Sequence, residues 1–294
     1  MNGVAISAQK GHGVMRTASR RSEKRFGRWL LWAELAIVAA YALFRFYDWA
    51  IACHIPMKSN PGPDRLVRSA ILRRGPFSFF DFPSRRIETR AVIIFGSGDA
   101  GWGGWEDAVC RAMAANGYEV IGVDFAPYAK TDYDLDTLQA DYTQLAQLVR
   151  GPFGAHAPPL ILGGWSMGAE QAVPVAAGPH PPPGLAGLLL LSPGQRGRYG
   201  LHVTDKLDIA PTGPGTFALE DFSHSLGNMR VLQWHAGLDP LDSTAWLQTL
   251  QAPHREMDFS GVWHDFNGPS DIFVQEMVRS LDWILSSWPW IRRE

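Results

Sequence analysis

The segment Leu160–Glu170 reads LILGGWSMGAE and carries the pattern that decides the fold. An apolar run leads directly into Gly-x-Ser-x-Gly, and residues that favour a helix follow. This order is typical of a nucleophile elbow, a strained strand-to-helix turn in which only glycine fits the crowded positions beside the serine. At such a turn, free amides and the helix dipole favour a developing oxyanion. The sequence therefore predicts that Ser166 is a nucleophile; the alternative is a plain glycine turn.

A hydrolase built on this elbow carries its acid and then its histidine after the serine. Residues 229–235 predict a strand, and Asp239 lies just past its end, with Asp242 as the alternative acid. Residues 255–259 predict the last strand, and His264 follows in the loop before a C-terminal helix. We expect His264 to take the serine proton and the acid to orient it. Four other histidines are rivals for this role: His202, His224, His235 and His254.

An oxyanion hole needs two backbone amides, one of them from the residue after the nucleophile, here Met167. The second should come from a loop after an earlier strand, and Ala91–Phe95 followed by the glycine-rich Gly96–Trp102 fits that place. We assign the second donor to the Asp99 backbone, with Ala100 as the alternative. The loop lacks the Gly-Lys-Ser/Thr ending of a phosphate-binding loop and a complete dinucleotide fingerprint.

Past residue 75, predicted strands and helices alternate along the chain. Strands are predicted near 91–95, 119–124, 160–164, 186–191, 229–235 and 255–259. Helices are predicted near 103–116, 134–150, 167–177, 242–251 and 269–287. This alternation predicts an α/β fold of the α/β-hydrolase class, with a mostly parallel sheet and helices on both faces. An insert at 194–228 has no role that its sequence assigns.

The composition suits one sizeable domain with an N-terminal extension, since the chain has 294 residues. A formal net charge of −2 gives no indication of nucleic-acid binding. Its two cysteines cannot build a disulfide scaffold, and no metal-binding motif is present. We therefore expect neither a metal nor a cofactor, and the sequence does not indicate a protein partner.

The N-terminus combines basic and apolar residues in the order of a membrane-targeting segment. Seven basic residues precede an apolar stretch rich in aromatic side chains: Lys10, Arg16, Arg20, Arg21, Lys24, Arg25 and Arg28. We predict a disordered basic segment at 1–28, a signal anchor or signal peptide at 29–52, a linker at 53–75 and the hydrolase domain at 76–294. The predicted location is the cytoplasmic membrane, with the catalytic domain in the periplasm.

Other interpretations of this segment stay open. Cleavage after Ala40–Ala42 would release a soluble periplasmic protein. Cys53 could end a weak lipoprotein signal, and the segment could also lie on the membrane as an amphipathic helix. If it instead packed as a core helix, the protein would be a cytoplasmic hydrolase.

Several of these motifs resemble the VirJ/AcvB family, bacterial virulence proteins of the α/β-hydrolase type. Ser97–Trp102 is similar to the family signature Ser-Gly-Asp-Gly-Gly-Trp, and Gly164–Glu170 to Gly-Tyr-Ser-Phe-Gly-Ala-Asp. His264–Phe266 resembles its His-His-Phe, and Gly117–Asp124 its following strand. The likeness extends over about residues 76–287.

The resemblance implies a hydrolase of lysyl-phosphatidylglycerol, which cleaves the ester between lysine and the lipid headgroup. The lysyl group carries two ammonium groups, so acidic partners are expected, and Asp99 and Glu170 are the candidates. The residues alone support only ester, thioester or amide hydrolysis. A broader esterase, thioesterase or peptidase, and a non-catalytic periplasmic protein that binds lipids or a secretion apparatus, are the alternatives.

Overall fold

A computed structural model describes residues 29, 31–44, 66–205 and 209–288. The chain divides into two compact units, Met1–Ile51 and Ala52–Glu294. The first unit contains helix α1, residues 31–44, whose apolar side chains are mostly exposed. Among the described helices, none combines the length and the apolar character needed to cross a membrane. The predicted segment 1–28, together with residues 30 and 45–52 of the predicted segment 29–52, lies outside the described residues.

The second unit is built on an eight-stranded sheet in the order β1-β2-β4-β3-β5-β6-β9-β10. The strands are β1 (Leu66–Leu72), β2 (Gly75–Phe82), β3 (Ala91–Gly96), β4 (Tyr118–Val123), β5 (Leu160–Trp165), β6 (Leu185–Leu191), β9 (Arg230–Ala236) and β10 (His254–Phe259). The six strands from β4 to β10 pair in parallel, while β1 and β2 form an antiparallel edge. A separate antiparallel pair joins β7 (Arg196–Arg198) to β8 (Thr216–Ala218).

Helices cover both faces of this sheet. They are α2 (Gly104–Ala115), α3 (Phe125–Tyr128), α4 (Leu135–Arg150), α5 (Met167–Ala177) and α6 (Asp271–Leu285). Successive side chains of a strand point to opposite faces. Along β3, Val92 and Ile94 accordingly join the core beneath α4 and α5, whereas Ile93 and Phe95 join the core beneath α2 and α6. Burial on both faces explains why the central strands are continuous apolar runs.

The connection after β3 runs to β4 on one side, whereas the connection after the neighbouring strand β5 runs to β6 on the other side. Where the strand order reverses in this way, the loops at the carboxyl ends diverge and leave a crevice that binds ligands. The two loops at this crevice are Ser97–Gly103, after β3, and the turn at Ser166, after β5. The topology thus brings together the two segments that the sequence singled out.

The predicted α/β architecture is confirmed, and two predictions of detail are wrong. The predicted linker 53–75 contains β1, a strand at the edge of the sheet. Its side chains are mostly exposed and do not alternate clearly between apolar and polar, so the sequence pattern did not indicate a strand. The predicted helix 242–251 is only a short 3₁₀ turn, Ala245–Thr249, because Asp242 is held in a loop by buried donors. The insert 194–228 contains the β7–β8 pair.

Candidate active site

Ser166 occupies a strained turn between β5 and α5. Its backbone has φ 52° and ψ −122°, a combination that non-glycine residues rarely adopt. The Ser166 N–H donates to the Leu191 carbonyl at 2.9 Å, and the Ser166 carbonyl accepts from Glu170 N–H at 3.0 Å. Both bonds fix the serine at the N-cap of α5, in a strained conformation that is characteristic of functional sites.

The glycines around Ser166 are required by close backbone packing. A Cβ at Gly164 would lie 2.5 Å from the Gly168 carbonyl carbon and 2.7 Å from the Gly96 carbonyl oxygen. A Cβ at Gly168 would overlap the Gly96 backbone. Strands β3 and β5 and helix α5 therefore meet at three glycines, and this contact sets the angle of the turn.

The histidine predicted as base and the acid predicted beside it are in contact. His264, in the loop between β10 and α6, has its Nδ1 2.5 Å from Oδ2 of Asp239 in the loop after β9. Burial alone would lower the pKa of His264, but the hydrogen bond and charge of Asp239 outweigh it and raise that pKa. Burial of Asp239 is likewise outweighed by His264, which lowers the pKa of the carboxyl group.

Trp165, the residue before the serine, connects the elbow to the histidine loop. Its indole Nε1 donates to the His264 carbonyl at 2.8 Å, and its ring centroid lies 4.9 Å from that of His264. The indole of Trp105 stacks against Trp165 and donates to the Asp265 carbonyl at 2.9 Å. The structure thereby places His264 beside the serine turn, although the two are far apart in sequence.

Asp242, the alternative acid, has other partners. Its carboxylate accepts from the Ala236 amide at 2.7 Å and from the Ser192 hydroxyl at 2.9 Å. Gln233 Nε2 lies at 3.2 Å, and Nδ1 of His235 lies at 3.1 Å. Asp242 thus connects the loop after β9, called the acid loop from here on, to β6 and β9, and it lies beside Nδ1 of His235, one of the rival histidines.

The remaining rivals lie in other surroundings. His202 contacts Asp132 at 3.1 Å and Arg198 at 2.6 Å in the β7–β8 insert. His254 turns its Nδ1 towards the Ala252 carbonyl at 2.9 Å, and His224 is exposed. Of the histidines considered, His264 is the one that the structure places with both Asp239 and the serine turn.

The two predicted oxyanion donors lie on loops that contact each other. A Cβ at Gly98 would lie 3.6 Å from Cβ of Ser166 and 3.2 Å from the Trp165 ring, so this loop packs directly on the elbow. Asp99 and Ala100 follow in a turn closed by the Gly101 amide, which donates to the Gly98 carbonyl at 3.1 Å. Met167 opens α5, where an amide has no acceptor within the helix.

Glu170 faces the same region from the first turn of α5. Its Oε1 accepts from the Gly194 amide at 3.0 Å. Burial raises the pKa of Glu170 to about 8, helped by the negative charges of Asp99 and Asp205, while His264 acts in the opposite direction. The site is therefore an acidic environment with His264 among its neighbours. Within the described ranges, no group of three or more His, Cys, Asp or Glu side chains is placed to hold a metal ion.

Sequence reasoning missed several residues of this site: Ser97, Glu106, Trp105 and the role of Trp165. Glu106 follows Gly103 at the spacing of a capping box, which was a usable signal. The tryptophans gave no such signal, because their contacts join segments that are distant in sequence.

Comparison with solved structures shows the fold. The apo form of Thermogutta terrifontis esterase 2 is similar with a TM-score of 0.54 and 15% identity, over 79% of this chain and 97% of that one. The same esterase phosphorylated by paraoxon has a TM-score of 0.55 and 13% identity, over 79% of this chain and 97% of that one. A putative dienelactone hydrolase from Klebsiella pneumoniae subsp. pneumoniae MGH 78578 has a TM-score of 0.57 and 13% identity, over 76% of this chain and 98% of that one. These likenesses show an α/β-hydrolase fold.

Sequence comparison gives a narrower result. Comparison with curated proteins found no match. Residues 90–220 match the family described as bacterial virulence protein (VirJ), and this range contains the loop Ser97–Gly103 and the serine turn. The match over residues 90–220, which is less than half of the chain, confirms the resemblance to this family that the sequence predicted.

Proposed function

We propose that this protein is a serine hydrolase that cleaves the aminoacyl ester of lysyl-phosphatidylglycerol through an acyl-enzyme. The observation that carries the hydrolase proposal is that three segments meet at the strained Ser166. The adjacent Trp165 donates a hydrogen bond to the His264 carbonyl, and Nδ1 of His264 lies 2.5 Å from Oδ2 of Asp239. A nucleophile, a base and a group that orients the base are the parts that acyl transfer requires.

The chemistry assigns one task to each group. His264 Nε2 removes the hydroxyl proton of Ser166 as Oγ bonds to the ester carbonyl carbon, and the carbonyl oxygen becomes an oxyanion. The amides of Met167 and Asp99 hold this oxygen until the lipid alkoxide leaves with the proton from His264. Water, deprotonated by His264, then attacks the acyl-enzyme and releases the free amino acid. Asp239 accepts from Nδ1–H of His264 throughout and stabilises its charged form.

The acidic surroundings support a cationic acyl group. Glu170 and Asp99 act on each other electrostatically, and both act on His264. Because the pKa of Glu170 is raised to about 8, much of this carboxyl group is neutral at pH 7 in the free protein. An ammonium group beside it would favour the charged form and gain a charge-assisted hydrogen bond. The family resemblance supplies the lysyl ester as the substrate.

The test is release of lysine and phosphatidylglycerol from lysyl-phosphatidylglycerol by the purified protein and its Ser166→Ala variant. We expect wild-type turnover and a loss of about 10⁶-fold in the variant. Alanyl-phosphatidylglycerol has the same ester and one ammonium group fewer. Glu170→Gln should therefore raise KM for the lysyl lipid by about tenfold and affect the alanyl lipid less, with Glu119→Gln, a carboxyl group distant from the serine turn, as the matched control.

Labelling of Ser166 by a fluorophosphonate separates the outcomes. Labelling without lysine release would discard the aminoacyl-lipid substrate and favour a broader esterase, the activity named for the structural neighbours. Absence of both labelling and turnover would contradict the hydrolase proposal and favour a lipid-binding role.

We further propose that residues 29–52 act as a signal anchor that holds the hydrolase domain on the periplasmic side of the cytoplasmic membrane. The support is the basic stretch before it and the exposed apolar side chains of α1. A tether would confine the enzyme to the plane of a lipid substrate. An alkaline phosphatase fusion at the C-terminus should be active and should sediment with membranes; an inactive fusion would favour a cytoplasmic location.

A further inference from the structure

The loop Ser97–Gly103, called the oxyanion loop from here on, is held from behind by buried polar groups that the reaction above does not use. Ser97 is fully buried. Its hydroxyl donates to the Gly98 carbonyl at 3.1 Å and accepts from the Phe125 amide at 3.0 Å. The serine side chain therefore connects the start of the loop to the start of α3.

These bonds fix a peptide plane that matters for catalysis. The Gly98 carbonyl accepts from both the Ser97 hydroxyl and the Gly101 amide, each at 3.1 Å. A trans peptide is planar, so the Asp99 N–H points opposite to the Gly98 carbonyl. Whatever orients that carbonyl also orients the amide assigned to the oxyanion. Gly98 packs on Ser166, which places this peptide beside the nucleophile.

A buried carboxyl group holds the other end of the oxyanion loop. Glu106, on α2, is 2% exposed, and its Oε2 accepts from the Gly103 amide at 2.8 Å. Burial raises the pKa of the Glu106 carboxyl group to about 7. The backbone amides of Gly103 and Gly98 act in the opposite direction and lower that pKa. Within the described part of the chain, Oε1 of Glu106 is buried without a hydrogen-bond partner. A costly buried carboxyl group is thus maintained directly under the loop.

We propose that Ser97 and Glu106 are positioning residues that clamp the oxyanion loop, so that the Asp99 amide faces the oxygen of a substrate bound at Ser166. Ser97 sets the plane of the Gly98–Asp99 peptide, and Glu106 anchors the backbone amide of Gly103 at the other end of the loop. This proposal rests on the proposed hydrolase function, because it concerns the same site.

The first test compares Ser97→Ala with Ser280→Ala. Ser280 is also buried, and its hydroxyl accepts from Trp234 Nε1 at 3.0 Å on the far helix α6, so both variants lose one buried hydroxyl group. We expect both to lower the melting temperature. Only Ser97→Ala should lower kcat for ester hydrolysis, by about 10- to 100-fold, with KM changed less than threefold, because removal of a whole oxyanion donor costs about 10²–10³-fold.

A pair of organophosphates makes the readout specific for the oxyanion hole. Paraoxon and its P=S analogue share a leaving group, but sulfur accepts hydrogen bonds far more weakly than oxygen. A displaced amide should therefore slow phosphorylation of Ser166 by paraoxon more than by the analogue. The ratio of the two inactivation rates should fall about tenfold in Ser97→Ala and stay at the wild-type value in Ser280→Ala.

Glu106→Gln provides the second variant, with Glu119→Gln as its control. Glu119 also accepts from one backbone amide, that of Ser84, at 2.8 Å, but it lies near the amino end of β4, away from the carboxyl ends that carry the site. Glutamine at 106 keeps the size of the side chain but replaces one carboxylate oxygen by an NH₂ group, which cannot accept a hydrogen bond from a backbone amide. Glu106→Gln should lower the same ratio, and Glu119→Gln should leave it unchanged.

The outcomes separate this proposal from the one on which it rests. Wild-type ratios in both Ser97→Ala and Glu106→Gln would overturn the clamp and leave the hydrolase intact. A wild-type protein that paraoxon and fluorophosphonate do not modify at Ser166 would overturn both proposals.

Discussion

Asp239 and Asp242 are both buried and lie three residues apart, but their partners give them different roles. Asp239 is bonded to the ring of His264, whereas Asp242 is bonded to the backbone of Ala236 and to the Ser192 hydroxyl. A group that orients the base must contact the base itself. This contact favours Asp239 as the acid and gives Asp242 the task of holding the acid loop.

Asparagine substitutions test this division. Asp239→Asn should lower kcat by about 10³–10⁴-fold, since an amide favours the wrong tautomer of the histidine. Removing the Asp239 charge should also lower the pKa of His264, so the acid limb of the kcat/KM profile should move to lower pH. Asp242→Asn should mainly reduce the free energy of unfolding. Equal losses of kcat in both variants, at unchanged stability, would contradict the assignment.

At the scale of elements, the segment between β10 and α6 must hold His264 steady without being part of the sheet. Phe266 and Asn267 adopt φ values of 54° and 56°, so this segment turns sharply just after the histidine. Indole groups of Trp165 and Trp105 donate to the carbonyls of two consecutive residues, His264 and Asp265. The packing of α2 and the elbow on this segment therefore positions His264.

Trp165→Phe removes one of these bonds and keeps an aromatic ring. We expect kcat to fall about tenfold, because the His264 backbone loses its anchor, and the free energy of unfolding to fall by about 1 kcal/mol. Stopped-flow or steady-state kinetics and urea denaturation of the same preparation would measure both. Wild-type kcat together with the same loss of stability would show that Trp165 only packs against the histidine.

At the scale of the whole molecule, the site concentrates buried carboxyl groups that resist ionisation. Burial raises the pKa of Glu106 to about 7 and that of Glu170 to about 8, and it also raises the pKa of Asp124 and Asp242. In each case the folded protein binds protons more tightly than the unfolded chain. Buried carboxyl groups with raised pKa values reduce the stability of the folded protein at neutral pH. A cluster of such groups is typical of a functional site, where activity is maintained at the expense of stability.

The free energy of unfolding should therefore fall as the pH rises from about 4.5 to about 8. A raised carboxyl pKa means that the unfolded state loses its proton first, so ionisation favours unfolding. The change for Glu106, from 4.5 to about 7, alone corresponds to about 3 kcal/mol. His264 acts in the same direction, because its raised pKa is a stabilisation that is lost as it deprotonates. The lowered pKa values of Asp239 and Asp134 act oppositely, and they do so below this range.

Urea denaturation at pH 5 and pH 8 measures this dependence. Glu106→Gln should reduce the difference between the two pH values, since glutamine does not titrate. A free energy of unfolding that rises between pH 5 and pH 8 would contradict the predicted sign.

The sequence by itself determined the elements whose signal is local. The apolar runs of β3, β5 and β6 and the period of α2, α4 and α5 depend on neighbours a few residues away, and their bounds agree with the predictions to within two residues. The elbow was equally readable, because its strain demands glycine at fixed positions. The order of serine, acid and histidine then followed from the order of the strands.

Tertiary structure decided everything that depends on contacts between distant segments. Three contacts join residues from different loops. They are the pairing of His264 with Asp239, the bond from Trp165 to the His264 carbonyl, and the packing of Gly98 on Ser166. Strand β1 lies at the edge of the sheet and pairs with β2. Local sequence patterns indicate which face of an element is buried, but they do not indicate which polar group it will contact there. That contact depends on how the folded chain arranges the loops at the carboxyl edge of the sheet.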